Sequence, residues 1–102
     1  MSEDTTVYYI NIKDLSFKSE HFVIDLMRYL SEALPQINVV RYGNELEIET
    51  PTTLSKRAIK LRIKKYLYRK KIDNEFRPIA FIDPDKDGYI VKEKKIFEIS
   101  YY

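Results

Sequence analysis

Residues 37–72 read INVVRYGNELEIETPTTLSKRAIKLRIKKYLYRKKI, and a change of hydrophobic period inside this stretch decides the fold class. Ile37–Tyr42 and Leu46–Thr50 are β-branched or alternating runs on either side of Gly43-Asn44, a two-residue hairpin signal. In the second run Leu46 and Ile48 alternate with Glu45, Glu47 and Glu49, so one face is solvated. Pro51 breaks the hairpin, and Thr53 or Ser55 can cap the next element. From there the period is helical. Ile59, Ile63, Tyr66 and Leu67 fall in one arc about 100° wide, a stripe that would seat a helix over 55–72 on the sheet. Asp73-Asn74 and then Pro78 are expected to end it.

On the N-terminal side Thr6–Ile12 reads as a strand. Ser19–Leu34 reads as an amphipathic helix stopped by Pro35, with Glu20 at its positive end. On the C-terminal side Ile79–Ile82 and Lys95–Tyr101 read as two further strands joined by the turn Asp83-Pro-Asp-Lys-Asp-Gly88. The predicted order is β-α-β-β-α-β-β. This is an α+β two-layer sandwich: a mainly antiparallel sheet with two helices on one face, forming one domain over 1–102 with a flexible start at 1–5. With 102 residues the chain has room for one modest core, and it shows neither a run of the ~18 apolar residues of a membrane span nor a signal-peptide start. The absence of cysteine excludes disulfides, thiolate metal sites and thiol catalysis. The expectation is a cytoplasmic protein with no membrane association.

The formal charge of +2 conceals an asymmetry. Residues 55–72 hold nine of the 18 basic residues and no acid, so the other 84 sum to −7. Lys56, Arg57, Lys60, Arg62, Lys64, Lys65, Arg69, Lys70 and Lys71 thus form one basic segment on an acidic body. On a helical wheel, Arg57, Lys60, Lys64 and Lys71 cluster beside the core stripe and Arg62, Lys65 and Arg69 form a second ridge. Leu61, Tyr68 and Ile72 lie between them, partly exposed. An ordinary solvated helix mixes signs, whereas Lys56/Lys60, Lys60/Lys64 and Lys65/Arg69 repeat a like-charge spacing that costs ~0.2–0.5 kcal/mol each. Lys56 and Arg57 also stand in the first turn, where the helix dipole disfavours cations. Repeated local violations in one place point to a functional site, here one for a polyanion.

Cationic ridges on a rigid helix suit phosphates, and Tyr68 can stack on an exposed base, as can Tyr66 if it is not core. A membrane-surface helix needs a broader apolar face. These features leave RNA and DNA both open, and also a protein-interaction module docking its basic helix on an acidic partner.

The stretch TPTTLSKRAIKLRIKKYLYRKKIDNEFRPIAF resembles the eukaryotic-type large-subunit ribosomal protein family numbered twenty-two, which is distinct from the bacterial protein of that number. Ser55-Lys56-Arg57 and Lys64-Lys65-Tyr66-Leu67 match the family's helix, with Lys60 in register. The upstream hairpin, the first helix and the closing strands fall in the same order. The specific part is Ser55–Ala80. The resemblance implies a structural, non-catalytic protein that binds rRNA through this helix. Lys56, Arg57, Lys60, Lys64 and Lys65 would carry the contact, and Arg69 and Lys70 stand near the family's later basic pair. Tyr68 departs from the basic residue usual there. The chain ends at Ile99-Ser-Tyr-Tyr without the acidic tail of eukaryotic members. Its composition, with one Gln and abundant Lys and Glu, suits a thermophilic, archaeal member.

Other chemistry has little support. Asp83-Pro-Asp-Lys-Asp-Gly88 imitates the start of a calcium loop, but Lys94 stands where the closing Glu belongs, and a hairpin turn explains the same residues. His21 is the only histidine, and Gly43 and Gly88 are the only glycines, so neither a two-His metal site nor a glycine-rich phosphate loop exists. No cofactor or small-molecule substrate is expected.

Overall fold

A computed structural model describes residues 4–80 and 83–94. The elements are β1 (Thr5–Asn11), α1 (Lys13–Lys18), α2 (Glu20–Ala33), β2 (Asn38–Tyr42), β3 (Glu45–Pro51), α3 (Lys56–Arg69), β4 (Phe76–Ala80) and β5 (Gly88–Glu93). The strands form one sheet in the order β2-β3-β1-β5-β4. Three neighbouring pairs are antiparallel, and β1 with β5 is parallel. This is the α+β domain expected, with a mostly antiparallel sheet and helices on one face.

Alternation along the strands makes the two layers. Ile10 lies between Leu46 and Tyr89 in register, and all three are buried with Ile48, Phe76 and Val91 under the helices. The helices contribute Leu15 from α1, Val23, Leu26 and Leu30 from α2, and Ile59, Ile63, Tyr66 and Leu67 from α3. The stripe read from the basic segment is therefore the stripe that is buried. On the opposite sheet face Glu45 and Glu47 are half-buried and Glu49 is exposed, as the alternation predicts. The hairpin turns at Gly43, whose φ of 62° is followed by a negative φ at Asn44, the pattern of a two-residue loop with glycine first.

Four expectations need correction. There are three helices, because α1 forms where the sequence predicts no element. Six residues with a single buried side chain, Leu15, are too few to show a period. The first strand starts at Thr5, which pairs with Pro51 inside the expected flexible start. The fourth strand begins earlier than expected, at Phe76, and runs through Ile79 and Ala80; Phe81 and Ile82 of the expected Ile79–Ile82 lie outside the described residues. Pro78 is no breaker there, because among the described residues β4 is an edge strand that pairs only with β5. The fifth strand, Gly88–Glu93, follows the acidic turn directly. The strand expected at Lys95–Tyr101 lies outside the described residues.

The end of α3 also differs. The helix stops at Arg69, before Asp73-Asn74. Lys71 N–H donates to the Tyr68 carbonyl and Ile72 N–H to the Leu67 carbonyl, both at 3.0 Å, and Lys71 adopts φ 63°. This is the paired capping pattern that normally places glycine in the left-handed position. It folds Ile72 back onto Leu67, so Ile72 is buried (5% exposed) instead of lying between the ridges. It also takes Lys71 off the helical ridge to which the wheel assigns it. A side chain in the left-handed region costs ~1 kcal/mol or more. Lys71→Gly should accordingly raise the unfolding free energy by about 1 kcal/mol, measured by urea denaturation; an unchanged midpoint would refute strain at this position.

Candidate nucleic-acid interface

The basic helix is anchored at both ends. Ser55, not Thr53, is its cap: the hydroxyl accepts from Ala58 N–H at 3.3 Å. Tyr89 O–H donates to the Lys56 carbonyl at 3.2 Å, tying the first turn to β5. In the middle of the domain Tyr66 joins the two long helices, its single hydroxyl proton shared between the Phe22 carbonyl at 3.1 Å and Asp25 Oδ2 at 3.3 Å. Burial, with the Asp25 charge beside it, pushes the Tyr66 hydroxyl well above the ordinary phenol range. Tyr66 is a core residue and not a stacking platform.

Among the described residues two of the nine cations have carboxylate partners. Lys56 pairs with Asp87, and its ammonium lies 4.9 Å from the centre of the Tyr89 ring. That carboxylate and ring offset the first-turn dipole penalty expected for Lys56. Lys70 pairs with Asp25 at 2.7 Å, and this ammonium holds the Asp25 carboxyl below its usual range. Such a depressed carboxylate stabilises the fold above its unfolded pKa, and that contribution is lost as pH falls through the folded one. Asp25→Asn should therefore be less stable than the parent at pH 7 and converge on it as acid protonates Asp25. Urea midpoints at pH 7 and pH 3 check this; a gap that does not narrow between pH 7 and pH 3 would refute it.

The remaining cations have no carboxylate within 4.0 Å among the described residues. Arg57, Lys60 and Lys64 form one row, and Arg62, Lys65 and Arg69 the other, each at i, i+3, i+7 spacing. Lys71 sits beyond the helix end. Between the rows Leu61 and Tyr68 are 50% and 73% exposed. Arg69 lies over the ring of Tyr29, a residue of α2, at 5.5 Å. Tyr29, Leu61, Arg62, Lys64, Lys65, Tyr68 and Arg69 line an open groove of 640 Å³ between α2 and α3, a lining with no acidic residue. On the other side of Tyr68 a second groove of 400 Å³ runs toward β4, lined in part by Arg77 and Lys94. No sequence pattern points to Tyr29, Arg77 or Lys94, because only the packing of α3 against α2 and β4 brings them beside it.

No family model and no curated protein matches the chain. Among the described residues no helix is long and apolar enough to cross a membrane. Two of the three acids in the turn at 83–88 have partners within the fold: Asp83 Oδ1 accepts from Asp85 N–H at 2.9 Å, and Asp87 holds Lys56.

Proposed function

We propose that the protein is a non-catalytic RNA-binding protein of the large ribosomal subunit, contacting rRNA through α3. The observation that carries the reading is the pair of cation rows on that helix, six charges without a carboxylate partner among the described residues, on a surface rigidly held by a buried stripe. Unpaired cations at fixed spacing on a rigid element favour a phosphate backbone, since each neutralised phosphate releases counterions. The likeness of Ser55–Ala80 to the ribosomal family supports RNA, and the ribosome in particular, over DNA. Lys56 and Lys70 act mainly in the fold on this reading. Arg57, Lys60, Arg62, Lys64, Lys65 and Arg69, with Lys71 beyond the helix end, make the phosphate contacts.

The test is sucrose-gradient sedimentation of a tagged copy in its native lysate, at low and moderate salt and with or without ribonuclease. Co-migration with the large subunit that survives moderate salt is the expected result. A protein that stays at the top of the gradient at low salt overturns the ribosomal assignment, and a complex indifferent to ribonuclease points instead to an acidic protein partner.

A further inference from the structure

The core-facing arc of α3 is centred near Ile59 and Ile63, and Leu61 with Tyr68 lie about 180° from it around the helix. An apolar pair at the outermost line of a surface helix gains little for folding, and here it is set between two rows of cations. Leu61 and Tyr68 are seven residues apart, roughly 10 Å along the axis, with Lys64 and Lys65 in the two turns between them. The open groove on this line is bordered by Tyr29, whose ring lies under the Arg69 guanidinium and forms a second aromatic wall. Phosphate binding alone requires neither a tyrosine at 73% exposure nor an aromatic wall. A paired base in a duplex has both faces covered by its neighbours, so it cannot use them.

We propose that Tyr68, with Leu61 beside it, is a stacking platform for one unpaired nucleobase, whose flanking phosphates are held by Lys64 and Lys65. This rests on the RNA-binding reading and narrows it: the RNA is a stem that offers an extruded or loop nucleotide, not a plain duplex. The base lies in the groove toward Tyr29, and the stem's backbone follows the cation rows. Tyr68 is therefore a recognition residue, although it departs from the basic residue usual in the resembling family.

The experiment uses two 12-base-pair RNA hairpins differing only in a single bulged 2-aminopurine, titrated with the intact protein at ~50 mM salt. The parent should bind the bulged hairpin about 10-fold more tightly, and stacking should quench the 2-aminopurine. Tyr68→Phe should keep both effects. Tyr68→Ala should lose the preference and the quenching while binding the plain hairpin as the parent does, and thermal melts confirm that this exposed change leaves the fold intact. If Tyr68→Ala keeps the parent's preference, or the parent shows none, the platform is wrong while RNA binding by α3 stands. If the parent binds neither hairpin, the RNA-binding reading itself fails, and the platform with it.

Discussion

Lys60→Glu combined with Lys64→Glu should weaken binding to structured RNA by about 100-fold or more at ~0.1 M salt, with the domain still folded. A charge-assisted hydrogen bond to phosphate contributes ~1.5–3 kcal/mol, so losing two removes at least two decades of affinity, before the repulsion of the introduced carboxylates is counted. Neither lysine has a carboxylate within 4.0 Å among the described residues, so no structural pair is broken. A glutamate at position 60 would face Lys56 and Arg57, replacing two like-charge neighbours on the helix by attractions of ~0.2–0.5 kcal/mol each. Fluorescence anisotropy over a salt series reads both the affinity and the slope of log K against log salt, which should shrink by about 2 units for two lost phosphate contacts. Unchanged affinity in the folded double variant would remove α3 from the interface.

Gly88→Ala should cost at least about 3 kcal/mol, lowering Tm by roughly 12 °C or more. A Cβ at position 88 would stand 1.7 Å from the Tyr9 carbonyl oxygen and 2.7 Å from the Tyr9 carbonyl carbon and nitrogen. All three are backbone atoms, so no rotamer change relieves the contact. Tyr9 is the register partner of Gly88, and its N–H donates to the Asp87 carbonyl at 2.9 Å, so the strands must part at the first residue of their parallel pairing. Among the described residues β4 reaches the sheet only through β5, and it would be loosened as well. Gly43→Ala is the control: a Cβ there meets nothing within 4 Å, and its φ of 62° alone sets a penalty of ~1–2 kcal/mol. Equal losses in the two variants, read by urea denaturation, would refute the close approach of β1 and β5.

The elements legible in the residues are those whose local pattern is long enough to be periodic. α2 and α3 each run 14 residues, and the β2–β3 hairpin carries its own turn signal, so their buried faces are readable from the sequence. α1 has six residues and one buried side chain, and β4 contains Pro78, a breaker in general but harmless on a sheet edge. Whether a strand is an edge depends on pairing, which no local pattern encodes. β5 is missed because the residues after the acidic turn read as connection, and the strand expected at Lys95–Tyr101 lies outside the described residues.

The site divides along the same line. Which residues of 55–72 are charged, and that no acid lies among them, is a property of the order of residues, and so is the spacing that puts cations in two rows. Which of those cations are available is a property of packing. Asp87 and Asp25 come from segments 31 and 45 residues away to neutralise Lys56 and Lys70, and a left-handed turn at Lys71 moves that side chain off the helix and Ile72 into the core. Tyr68 stays exposed because it lies opposite the stripe that α3 buries, whereas Tyr66, two residues away, is closed in by Phe22 and Asp25 of α2. Helical period and charge are local and survive in any fold that keeps the helix. Partners distant in the chain are set only when burial of the apolar stripe fixes where α3 lies.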